Sequence, residues 1–255
     1  MGHSQITFLG TVGDILEIKH NRTGAGIILD VDGTQILIDP GIGTIVRASQ
    51  ANIELKKTKI ILCSSSELSR TNDLDASIEF TDKDIHLVCP KGTGIRPEYQ
   101  KHLKTVLVDE DKSTHIKNID IDAYFYENSL SFKLTTPRFV LGYITKAKHS
   151  KALIEKFNDT NIFIINLYNA KKEKNDYLAP EEIRDIIKEV NPELVILNGF
   201  SKKALEADPL DISRKMKLGL NTKTQIIPAK ELMTINPDAY NVVLKQKKLK
   251  GFLGE

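Results

Sequence analysis

Four hydroxyls, Ser64, Ser65, Ser66 and Ser69, stand directly after the apolar run Ile60-Ile61-Leu62. Serine chemistry there would need an activating base and an elbow of the Gly-x-Ser-x-Gly type, and neither surrounds these residues. Hydroxyls that satisfy backbone groups at a strand-end turn are the better account. Hydrolytic zinc would need about three imidazole, thiolate or carboxylate ligands and an open position for water. The six histidines, His3, His20, His86, His102, His115 and His149, form no pair at helical or hairpin ligand spacing. Most of them read as surface or capping residues. Cys63 and Cys89 lie just after apolar runs and read as buried free thiols, which points to a reducing, cytoplasmic location. The turn Lys91-Gly92-Thr93-Gly94 lacks the spacing and the following Lys-Ser/Thr of a phosphate loop, so it reads as a strand-to-helix connection.

The elements that must position these residues alternate along the chain. Residues 6–13 read as a strand running into a glycine turn, and 24–29 with 34–38 as a hairpin across Asp32-Gly33, a strong type I′ signal. A helix over 44–55 leads into the strand at 60–62. Residues 85–88 form a further short strand, and 97–103 a helix. From 120 the pattern is β again, over 121–126, 130–134 and 138–144. Then come a helix at 151–157, a buried strand at 161–167 and a charged loop at 168–177. Pro180 opens a helix with Ile183, Ile186, Ile187 and Val190 on one face. Residues 194–197 make another strand, Asp208-Pro209 caps a helix through 218, and 225–233 closes the body.

The turn after Leu62 resembles the metallo-β-lactamase superfamily, in its ribonuclease Z and PhnP-like hydrolase branch. In that family a core strand ends in His-x-His-x-Asp-His, followed by a short helix start. Laid on this pattern, Ser64 and Ser66 stand where the first two histidines would be. Leu68 replaces the aspartate, Ser69 the last histidine, and Asn72-Asp73-Leu74 fits the helix that follows. Further segments are similar in family order. Leu9-Gly10-Thr11 matches the glycine-rich opening. Leu37-Ile38-Asp39-Pro40-Gly41 matches Leu-Ile-Asp-x-Gly, whose aspartate braces the metal-site loops in the family; a plain Asp-Pro-Gly turn is the alternative. Asn128 replaces a metal histidine, and Lys146 occupies the place of the metal-bridging aspartate after Gly142-Tyr143. Gly199 stands for the last histidine before Phe200-Ser201. An ammonium at the bridging position would repel a dication.

The resemblance covers about residues 6–235 and implies an α/β protein, a four-layer αβ/βα sandwich with its site at the top edge between two sheets. It implies one domain over residues 1–240 followed by a basic tail, 241–255. It also implies a site without metal, cofactor or catalytic residue, a degenerate cleft of Asp39, Ser64, Ser66, Leu68, Ser69, Asn128, Lys146 and Gly199. Asp39, Glu67 and Asp73 would form an acidic floor facing Lys146, a fixed positive charge in place of the lost cation.

Composition agrees with a soluble chain: 255 residues, 40% hydrophobic, 27% charged and a net charge of +2. No apolar run approaches a membrane span, and the N-terminus lacks a signal-peptide pattern. The near balance of 36 basic and 34 acidic residues does not advertise nucleic-acid binding. In the tail, Lys247, Lys248, Leu249 and Phe252 combine charge with apolar anchors and favour a protein partner over nucleic acid. The expected role is a binding, structural or regulatory subunit of a larger complex, or a sensor holding a small ligand in the cleft. The alternative is a phosphodiesterase- or nuclease-like hydrolase using a non-standard or metal-independent site.

Overall fold

Strand β1 (Ser4–Phe8) begins a computed structural model that describes residues 3–15, 22–24, 26–82 and 84–240. It pairs antiparallel with β2 (Ile27–Val31), which turns into β3 (Thr34–Ile38). Both turn residues take positive φ, 51° at Asp32 and 82° at Gly33, as a type I′ turn requires. The helix expected at 44–55 ends early: α1 spans Thr44–Gln50, and a 3-10 turn at Leu55–Lys57 leads into β4 (Thr58–Leu62). Two short helices follow, α2 (Leu68–Thr71) and α3 (Leu74–Phe80), then β5 (Ile85–Pro90).

The expected helix at 97–103 shrinks to a single turn, α4 (Pro97–Gln100). Leu103 already opens β6 (Leu103–Val108), parallel to β5. Hydrogen bonding to β5 outweighs helix propensity there. Strand β7 (Lys112–Ile116), too polar to read as a strand, pairs antiparallel with β8 (Ile119–Tyr126). The chain continues through β9 (Ser129–Thr135), β10 (Val140–Ile144), α5 (Lys151–Lys156), β11 (Ile162–Asn166), α6 (Pro180–Val190) and β12 (Leu194–Asn198). After α7 (Lys202–Glu206) and α8 (Pro209–Lys217), the segment expected as one closing element divides. Strand β13 (Gln225–Pro228) pairs parallel to β12, whereas β14 (Thr234–Ile235) crosses over to pair with β1.

The result is two seven-stranded mixed sheets, ordered β14-β1-β2-β3-β4-β5-β6 and β13-β12-β11-β10-β9-β8-β7. Their inner faces share one apolar core, with Phe8, Ile38 and Leu62 from the first sheet and Phe132, Tyr143, Ile164 and Ile196 from the second. Ala48 of α1 and Leu74 and Ile78 of α3 cover the outer face of the first sheet. Leu153 of α5, Ile183, Ile186 and Ile187 of α6, and Ile212 and Met216 of α8 cover that of the second. These are the four layers of an αβ/βα sandwich. Every residue of β11 and β12 is buried, as parallel strands covered on both faces must be. Among the described residues no helix is long and apolar enough to cross a membrane. Lys247, Lys248, Leu249 and Phe252 lie outside the described residues.

Candidate functional site: the upper edge between the sheets

Asp39 follows the last residue of β3 with φ at 51°, so the chain turns sharply there. Its N–H donates to the Leu62 carbonyl at 2.7 Å. The carboxylate is fully buried and accepts from the Ser64 N–H at 2.6 Å, the Ser64 Oγ at 2.7 Å and the Tyr143 hydroxyl at 2.5 Å. Its cation is Arg70 of α2, 4% exposed, whose Nη1 lies 3.6 Å from Asp39 Oδ2. A buried ion pair survives desolvation only when its remaining polar atoms are well served, and Ser64 and Tyr143 perform that service for the carboxylate.

The surroundings favour the protonated forms of the neighbouring acid groups. Burial and the neighbouring Asp39 push the Tyr143 hydroxyl well above its ordinary range, while Arg70 opposes the shift. Burial, with Asp39 and Cys89 adding to it, likewise raises the Cys63 thiol and disfavours its thiolate. Cys89 is pushed up to about 11 by burial.

Of the residues aligned with metal positions, only Ser64 meets Asp39. Ser66 and Leu68 point outward, and Leu68 is an exposed apolar side chain. Ser69 is buried, but the side chain aimed at Asp39 is the next one, Arg70, which the sequence alignment passed over. Asn128 is exposed in the β8–β9 turn, where Glu127 and Asn128 both have positive φ, 44° and 59°. Gly199, with φ at 61°, lies where an added Cβ would come 2.3 Å from Asn166 Oδ1. Any side chain there meets both strain and a clash.

The acidic floor facing Lys146 does not form. Strand β10 ends at Ile144, and in the bend beyond it Lys146 comes beside Leu153 and Lys156 of α5 on the helix-covered side. There it pairs with Glu127 at 3.5 Å and Asp176 at 3.7 Å. Asp73 instead caps α1, its Oδ2 accepting from the N–H groups of Gly43 at 3.1 Å and Ile45 at 3.3 Å. Glu67 is exposed.

Backbone bonds stitch the two sheets together along this edge: Leu130 N–H to Ser64 carbonyl at 2.6 Å, and Gly13 N–H to Phe200 carbonyl at 2.9 Å. Glu231 ties the glycine-rich opening to the closing segment, accepting from the Thr11 N–H at 3.0 Å and from the hydroxyls of Thr11 and Thr23 at 2.8 and 3.1 Å. At the rim, Tyr168 stacks on Tyr177 at 4.2 Å and donates to Asp14 at 3.2 Å. Burial, then Asp14, pushes Tyr168 up to about 12.

No family model matches the chain. An uncharacterized protein of Methanocaldococcus jannaschii is 24% identical over 259 residues, covering 89% of this chain and 92% of its own length. Among solved structures, YhfI from Bacillus subtilis superposes with a TM-score of 0.74 at 13% identity, over 91% of this chain and 99% of its own. That protein is described as having the metallo-β-lactamase fold. This chain has the metallo-β-lactamase fold. Human tRNase Z, short form, matches at a TM-score of 0.69 and 14% identity, over 91% of this chain and 98% of the enzyme. A diphosphatase of the PhnP family matches at 0.68 and 13%, over 91% and 97%.

Metal is the group this fold brings to mind, and the donors at the edge do not fit it. Hydroxyls, a phenol and a guanidinium surround Asp39, the one buried carboxylate among the described residues. Among the described residues, no three His, Cys, Asp or Glu side chains are grouped to hold an ion.

Proposed function

We propose that this chain is a metal-free member of its fold that acts by binding, as a structural or regulatory subunit of a larger protein complex in the cytoplasm, and not by hydrolysis. The observation that carries this reading is the Asp39 cluster. Its carboxylate accepts from Ser64 and Tyr143 and is ion-paired with Arg70, and among the described residues no three His, Cys, Asp or Glu side chains are grouped to hold an ion. The neighbouring Tyr143 and Cys63 hold their protons too tightly to serve as base or nucleophile near neutral pH. Hydrolysis, the activity that the names tRNase Z and diphosphatase give to two structural neighbours, would require a different set of groups on this scaffold.

The test is elemental analysis of protein purified without chelator, alongside a phosphodiesterase assay with bis(p-nitrophenyl) phosphate. Substoichiometric zinc, iron and manganese with no turnover is the expected result. About one metal per chain, lost on chelation together with activity, would overturn the reading.

A further inference from the structure

Strand β13 is the outermost strand of the second sheet, and among the described residues no strand pairs with its outer side. The Gln225 N–H donates to the Glu193 carbonyl and the Ala229 N–H to the Leu197 carbonyl. By the alternation of a parallel ladder, the N–H and C=O of Ile226 therefore face outward.

The two free ends of this sheet are built differently. At the other end, β7 reads Lys112-Ser113-Thr114-His115-Ile116, and a polar edge with a lysine resists unwanted pairing. Strand β13 reads Gln225-Ile226-Ile227-Pro228 and carries no charge; Pro228 withholds a donor only at its far end. Ile226 and Ile227 are half-buried, whereas every residue of the adjoining β12 is buried. An uncharged apolar strand at a sheet edge invites a further strand.

The described chain ends beside this edge. The Tyr240 hydroxyl donates to Gln225 Oε1 at 3.4 Å. Ala239 and Tyr240, with Pro192, Lys223 and Gln225, line a depression of about 380 Å³ at the start of β13. The next residues in the sequence, Asn241-Val242-Val243-Leu244, lie outside the described residues. Two valines and a leucine suit a pleated, half-buried strand, and the basic stretch begins only at Lys245.

We propose that Val242, Val243 and Leu244 add to the outer edge of β13 as a short further strand, beside the seven already in that sheet. The chain arrives at Gln225, the first residue of β13, so the added strand runs parallel to β13, toward Pro228. Three residues suffice, because Ile226 carries the one outward N–H of the strand. A segment two residues from Tyr240 is present at far higher effective concentration than a second copy or another protein. The proposal does not depend on whether the Asp39 edge is catalytic.

The test compares amide hydrogen exchange at Ile226 in the full-length chain, in a chain ending at Leu244 and in one ending at Tyr240. The first two should protect Ile226 equally. Loss of 241–244 should speed its exchange about tenfold or more and lower the melting temperature. Val242→Asp combined with Val243→Asp in the full-length chain should reproduce that loss, and decides the matter if the shortest chain fails to fold. Equal exchange at Ile226 with and without 241–244, or full protection in the double variant, would overturn the proposal. Protection that rises with protein concentration would also overturn it, by making a second copy the occupant.

Discussion

Arg70 turns a buried carboxylate from a liability into a brace. Removing one member of a buried ion pair typically costs about 3–5 kcal/mol, because the other charge is left uncompensated. Arg70→Ala should therefore destabilise by about 3 kcal/mol or more in urea titration, and Arg70→Ala combined with Asp39→Asn should recover part of that loss. A single variant within about 0.5 kcal/mol of the parent would mean that Ser64 and Tyr143 alone carry Asp39. Ser66→Ala, at an exposed position, should fall within about 0.5 kcal/mol of the parent. The same cluster sets an alkaline limit. Cys63 and Tyr143 titrate above their ordinary values of 9.0 and 10.0 in the folded protein, so the unfolded chain releases those protons first. Their contribution is intact below pH 9 and is lost as pH rises through 9 and 10 toward the folded values, at up to about 1.4 kcal/mol per pH unit for each group. Tyr143→Phe should flatten the slope above pH 10 relative to the parent; an unchanged slope would remove Tyr143 as its source.

At the scale of elements, the parallel strands of the second sheet bear the packing. Val195 of β12 is fully buried and faces the apolar side chains of α6 and α8. Val195→Asp places an unpaired carboxylate there and should leave the protein insoluble or unfolded by circular dichroism. A variant melting like the parent would contradict the burial of β12 on both faces. The turn after β12 is as constrained as the strand. At Gly199 an added Cβ has no room against Asn166, and the positive φ adds strain, so Gly199→Ala should lower the urea midpoint while Gly33→Ala, with no atom near its added Cβ, should cost only the strain.

Across the whole molecule, the core between the sheets and the backbone bonds along their upper edge join the two halves. The melting temperature should accordingly be the same with and without excess chelator. A drop on chelation would show that an ion contributes to the fold. Association should reside on surfaces rather than at the Asp39 edge. Deleting residues 245–255 is expected to leave the circular dichroism spectrum and melting temperature unchanged while reducing partner recovery in a pull-down from the source organism. Ser66→Ala should alter neither. Full recovery with the truncated chain would move the interaction surface onto the body.

The sequence by itself determined what rests on local periodicity and turn chemistry. The Asp32-Gly33 hairpin, the apolar runs of β4, β11 and β12 and the Pro180 helix are all legible without coordinates, because each is set by residues within one turn or strand. Tertiary structure alone decided which cation serves Asp39. Alignment offered Lys146, yet the bend after β10 leaves it paired with Glu127 and Asp176, while Arg70, one residue beyond Ser69, is brought to Asp39 by α2. The polar edge strands β6 and β7 and the division of residues 225–235 between two sheets were equally hidden. Their conformations are set by the strands they pair with, β5 for β6, the adjoining β8 for β7, and the distant β12 and β1 for the two parts of the closing segment, and not by their own side chains.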